Sequence, residues 1–196
     1  MNIDITQFQK INVVDTCVID NLLSSTTLYR AARSSNCSFC YTKFVEYEML
    51  YKTRKNLDEK SKKLQQKLID ETKANRFECH NLSIDDLQEI EILERRKRLG
   101  GGELSSIAFA KKINQSFMTD DSKARKLGIS ILGSKRVQTT PHLIGWLFYI
   151  QELTDSDLPM VISEHQEYNR PLSNYFEEAY HESLRIKNMN NNVSLR

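Results

Sequence analysis

Short β-branched or aromatic runs alternate with helical stretches along most of this chain, and no other feature constrains the fold as strongly. Residues 11–14 (INVV) read as a strand that ends in Asp15, with an amphipathic stretch over 18–28 behind it. Residues 37–41 read as a second strand, and Thr42 is placed to cap a helix running to 52. A charged stretch over 56–73 spaces Leu57, Leu64, Leu68 and Ile69 at near-helical intervals, and 76–80 reads as a short third strand. Ser83 and Asp86 form a capping-box pattern that opens a helix to 98, and Gly100, Gly101 and Gly102 precede a helix over 103–113. A strand over 116–119, a helix over 120–127 stopped by Gly128, and a last strand over 129–132 follow. Thr140-Pro141 opens another helix, 154–159 reads as a loop, 174–188 as a terminal helix, and Asn190 to Asn192 as a frayed end. Strands separated by helices form mainly parallel sheets, because parallel neighbours need a long crossover. The expected fold class is therefore α/β.

At 196 residues the chain has the length of one domain with an appended element, and we place the boundary between 1–151 and a helical extension over 152–196. The most apolar run, 143–150, is far shorter than the ~20 residues a membrane-spanning helix needs. The N-terminus lacks the basic and apolar regions of a secretory signal, so the expected compartment is the cytoplasm. Four cysteines are too few for a disulfide scaffold. Cys37 and Cys40 form a C-x-x-C, with Cys79-His80 as a conceivable second half of a zinc site, but the motif lies inside a strand and has no matching partner pair.

The polar residues at the strand ends carry the chemistry, since ligands of open parallel sheets gather at the carboxyl ends of the strands. Asp15 follows the first strand, and Asp120 and Asp121 follow 117–119. Glu48 lies in the helix after the second strand, and Glu103 opens the helix after the glycines. Singly, each could cap a helix or face solvent. Together they would converge on one sheet edge with no nucleophile pattern beside them. Carboxylates forced together repel one another, and a hard divalent cation such as Mg²⁺ or Mn²⁺ relieves that repulsion. Such an ion activates water and stabilises charge on a phosphoryl oxygen, so the natural substrate is a phosphodiester.

The segments 13–19 (VVDTCVI), 99–110 (LGGGELSSIAFA) and 117–128 (FMTDDSKARKLG) resemble, in order, the three signature blocks of PIN-domain nucleases, of which the VapC-like toxins are the most familiar branch. The resemblance covers roughly residues 11–150. It implies a PIN-like three-layer sandwich with a central, mainly parallel sheet. It also implies a metal-binding acid at Asp15, at Glu48 (six residues past Thr42 and before Met49-Leu50), at Glu103, and at Asp120 or Asp121. The long charged insert over 56–73 and the extension past 151 depart from compact toxins.

With net charge only +2, a nucleic-acid role must rest on local patches. Seven Lys or Arg residues lie between Lys111 and Arg136 against two acids, and Arg95 to Arg98 precede the glycines. Lys123 and Arg125 are the best individual phosphate-binding candidates, although such residues also serve as ordinary solvated helix faces. Tyr41, Phe44, Tyr47, Tyr51, Trp146 and Phe148 read as packing residues. Tyr175, Phe176 and Tyr180 could bury against the domain or a second protomer in a homo-oligomer. The expectation is a metal-dependent endoribonuclease cleaving RNA, with Mg²⁺ or Mn²⁺ as cofactor. The resemblance implies a toxin with a co-encoded antitoxin as partner. An RNA-processing or DNA-directed nuclease, or a non-catalytic nucleic-acid-binding module, are the alternatives.

Overall fold

The structure is a computed structural model and describes residues 4–52, 58–94 and 99–193. Five parallel strands form one sheet: β1 (Ile11–Val14), β2 (Ser38–Thr42), β3 (Phe77–His80), β4 (Ser116–Met118) and β5 (Val137–Gln138), in the order β3-β2-β1-β4-β5. From β1 the chain builds outward through β2 to β3, then returns to the other side of β1 for β4 and β5. Val13 is paired with Cys40 on one side and Phe117 on the other. The switch point of the sheet therefore lies between the carboxyl ends of β1 and β4, where such folds open a crevice.

Side chains alternate across each strand, and both faces are covered. Val14, Phe39, Tyr41, Phe77 and Met118 enter one core, and Val13, Cys40 and Phe117 the other. On the first face lie α1 (Thr16–Ser24), α2 (Thr26–Ser34), α4 (Glu59–Lys73), α8 (Thr140–Tyr149), α9 (Asp157–Glu167) and α10 (Ser173–Val193). The second face holds α5 (Ile84–Glu94), α6 (Gly101–Lys112) and α7 (Ser122–Leu132). The short α3 (Lys43–Glu46) follows β2 and runs into a π-helical turn, Tyr47–Tyr51. The C-terminal helices belong to the first core: Leu153, Val161 and Phe176 are buried in it with Val14 and Leu147. Gly145 on α8 allows this close approach, since a Cβ there would lie 2.8 Å from the Ile5 side chain and 3.3 Å from the Ala179 carbonyl. Among the described residues no helix is long and apolar enough to cross a membrane.

Several local expectations are corrected. The stretch 129–132 is not a strand: α7 runs through Gly128 to Leu132 and ends at Gly133, whose φ of 84° is the backbone glycine tolerates. Gly128 acts by size instead of as a stop, because a Cβ there would meet Phe117 at 3.0 Å and Val137 at 3.2 Å. The strand beyond β4 is β5, only two residues long. The helix expected over 18–28 is two helices, broken where Ser25 ends α1 and caps α2 by accepting from Leu28 N at 3.0 Å. The loop expected over 154–159 holds for 154–156 only: α9 starts at Asp157, with Pro159 in its first turn, where a missing N–H costs nothing. The terminal helix continues to Val193, past the expected end at 188 and through the asparagines expected to fray. Leu57 and the basic run Arg95 to Arg98 lie outside the described residues.

Candidate functional site

Asp15 stands at the carboxyl end of the central strand and is 2 % exposed. Its carboxylate caps α1 by accepting from Val18 N at 3.0 Å, and also accepts from the Cys17 thiol at 2.9 Å and from the Thr119 hydroxyl. Burial pushes its pKa up to about 7 against the pull of those hydrogen bonds. The Cys17 thiol is itself pushed far up by burial and by the neighbouring Asp15 charge, so it is a hydrogen-bond donor and not a nucleophile.

Glu48 arrives from the other side of β1. Thr42 caps α3, and the chain then widens into the π-helical turn that carries Glu48, a distortion common at functional sites. Glu48 Oε1 accepts from Gly102 N at 3.1 Å, and Oε2 from the Thr16 hydroxyl at 3.1 Å. Gly102 is required by this approach, because a Cβ would collide with the Glu48 carboxylate. Glu103, on the next residue of α6, accepts from Gly100 N at 2.7 Å. Its pKa is raised, first by burial and then by the charges of Asp121 and Glu48.

The Asp120-Asp121 doublet divides. Asp121 caps α7 through Oδ1, accepting from Lys123 N and Ala124 N at 2.7 Å, and lines the same cleft as Asp15, Glu48 and Glu103. Asp120 turns toward α8. It accepts from Thr140 N at 2.9 Å, the Thr140 hydroxyl at 2.5 Å and Asn21 Nδ2 at 2.8 Å, and does not line the cleft. Four of the five acids singled out in the sequence thus meet at one opening of about 450 Å³.

Two cations at this opening carried no sequence signal. Lys52 follows the π-helical turn, and Arg170 comes from the turn between α9 and α10. Arg170 donates to Asp20 at 2.6 Å, and its buried Nε has no hydrogen-bond partner. Lys123 and Arg125 are not part of the lining, although Lys123 acts on the Glu103 charge from nearby. The basic stretch over 111–136 does not form one patch. Lys111 pairs with Glu89, Lys112 with Asp86, and Arg136 donates to the carbonyls of Ala110 and Gln115. Cys37 and Cys40 pack into different cores on opposite faces of the sheet, so they cannot share one ion.

The donor set fits a hard divalent cation: all-oxygen ligands, two of them with raised affinity for protons through burial and mutual repulsion. As placed, no three described His, Cys, Asp or Glu side chains form a ready ligand cluster. Glu103 and Glu48 are instead engaged by hydrogen bonds from Gly100 N, Gly102 N and the Thr16 hydroxyl. Comparison with protein-family models and with curated proteins found no match to this chain.

Proposed function

We propose that this chain is a divalent-metal-dependent endonuclease acting on RNA, with Asp15, Glu48, Glu103 and Asp121 holding Mg²⁺ or Mn²⁺. The observation that carries the reading is the convergence of these four carboxylates, from four separate segments, at the switch point of a parallel sheet. When bound, the ion would activate water and neutralise charge on the phosphoryl oxygens. The chain's own residues do the rest. Lys52 and Arg170 stand at the rim to orient a phosphate, and the buried Asp15 is kept in place by Thr119, Cys17 and the α1 N-terminus. The resemblance of three segments to PIN-domain nucleases supports the same reading and adds the toxin, its antitoxin and a cytoplasmic setting as the biology to test. Asp120 is then a positioning residue that fixes α8 against β4, and not a ligand.

The test is cleavage of a panel of labelled RNAs and DNAs with Mg²⁺ or Mn²⁺, with Asp15→Asn and Glu103→Gln as controls. Metal-dependent cutting of RNA, lost in both variants, supports the reading. RNA left intact by folded protein that binds no Mn²⁺ in calorimetry overturns it in favour of a non-catalytic binding module. Metal-dependent cutting confined to DNA would keep the site and change the substrate.

A further inference from the structure

A second pocket, about 550 Å³, lies at the other end of α1 from the carboxylate cleft. Asp15 opens that helix at the cleft and Leu23, near its end, lines this pocket, a separation of roughly 12 Å at about 1.5 Å per residue. Its walls are α2 and α4. Four basic side chains, Arg30, Arg33, Lys67 and Arg76, line it against one acid, Glu71.

That acid is already committed. Glu71 holds Arg76 in a two-pronged pair with both contacts at 2.6 Å, and it accepts from the Tyr29 hydroxyl at 2.7 Å. Lys67 donates to the Leu23 carbonyl at 2.8 Å and lies over the Tyr168 ring. Arg30 and Arg33 are exposed, one helical turn apart on α2, and among the described residues neither has an ion pair. Like charges on neighbouring turns of a helix repel, and the opposite wall adds two more cations with only Glu71, shared between Arg76 and Arg33, to offset them. Arg33 also complements the α2 dipole in the last turn, but Arg30, a turn earlier, has no such use. The pocket has the volume of a small-ligand site, and guanidinium forks match phosphate oxygens in pairs.

We propose that the pocket between α2 and α4 binds a phosphate-bearing ligand, taken by Arg30 and Arg33 with Arg76 fixed as the far wall. The ligand is either a free phosphorylated molecule or the 5′-phosphate of a nucleic-acid strand, and the site works independently of the carboxylate cleft. The test is isothermal titration calorimetry of the full chain with three probes: inorganic pyrophosphate, a short single-stranded RNA bearing a 5′-phosphate, and the same RNA with a 5′-hydroxyl. Binding of pyrophosphate, or of the RNA only when phosphorylated, is expected, and identifies the source. The Arg30→Ala/Arg33→Ala variant should lose about tenfold or more in affinity, equivalent to at least about 1.4 kcal/mol. The Arg30→Lys/Arg33→Lys variant keeps the charge but loses the forks, and should fall between. Equal affinity in the alanine variant, no binding of either phosphate probe, or equal competition by a poly-aspartate peptide would overturn the proposal.

Discussion

Asp15 is a carboxyl group almost wholly buried at the floor of the cleft, and its stability signature follows from that. In the unfolded chain it titrates near ~3.9, and in the fold near about 7. An acid whose folded pKa is raised costs nothing while protonated in both states. As pH climbs from about 4 to about 7, the unfolded chain ionises first and the fold loses stability. In metal-free protein, Asp15→Asn, which keeps a side-chain oxygen for the α1 cap, should be the more stable form at pH 8. The expected gain is about 1–3 kcal/mol, a rise in Tm of roughly 3–10 °C for a chain of this size. The gain should shrink toward zero near pH 4, and thermal melts across that range would read it directly; a difference independent of pH would refute the burial account. The neighbouring doublet separates structure from ligation. Asp120→Asn would set an amide donor against the donors Asn21 and Thr140, costing about 1–3 kcal/mol, with Mn²⁺ affinity retained in the folded fraction. Asp121→Asn keeps a helix-capping oxygen and should weaken Mn²⁺ binding with little change in Tm. Calorimetry and melts on both variants would show whether the roles divide this way.

At the scale of elements, what could be read in the sequence was whatever rests on a local pattern. The runs 11–14 and 116–119 are short, with an apolar centre and an aspartate directly after each, and they became β1 and β4 within one residue. The acids at their ends fell where parallel strands put them. What escaped was decided by distant contacts. The stretch 129–132 is β-branched, yet α7 continues through it because Gly128 lets the helix sit on Phe117 and Val137. Glu48 was singled out by the resemblance to PIN-domain nucleases, but the π-helical turn that aims it at α6 leaves no sequence mark. Arg170 was invisible for the same reason, being 150 residues from its partner Asp20. The register of the Asp120-Asp121 doublet could not be read because only Thr140 and Asn21, brought in by the fold, distinguish the two. The contact between the π-helical turn and α6 makes its own prediction. Gly102→Ala should push the Glu48 carboxylate off the α6 N-terminus, moving only the flexible end of a side chain. Stability should change by less than about 1 kcal/mol, since a glycine-to-alanine change inside a helix partly offsets the lost hydrogen bond. Mn²⁺ affinity should change several-fold, measured by calorimetry, while an unchanged affinity would mean that Glu48 takes no part in ligation.

The molecule as a whole is closed by its C-terminal pair, and two buried histidines tie that closure to pH. His165 on α9 donates through Nδ1 to the Val161 carbonyl at 2.8 Å, lies edge-on to Phe176 at 4.8 Å, and buries an Nε2 with no hydrogen-bond partner. His142 on α8 reaches the carbonyls of Asp4 and Gln7. Burial lowers both pKa values, which favours the neutral ring in the fold. A histidine with a depressed folded pKa contributes stability that is full above the unfolded value of ~6.5 and declines as pH falls below it. Asp15 has the opposite slope over much of the same range, so a global melt would blend the two. Position resolves them. Asp15 belongs to the sheet centre, whereas His165 sits where α9 and α10 meet α1 and α8. Hydrogen exchange, corrected for intrinsic rates, should therefore show α9 and α10 opening more readily at pH 5 than at pH 7.5, with β1 and β4 less affected. His165→Leu removes the titrating ring while keeping an apolar side chain against Phe176, and it should abolish most of that acid response in α9 and α10. If the helices still loosen to the same extent, the closure does not depend on His165. Because Arg170 follows α9 directly and reaches Asp20 in the cleft, loosening of this pair should also release a cation from the rim. On the nuclease reading proposed above, cleavage measured at pH 5 and pH 7.5 should then differ less in His165→Leu than in the parent chain.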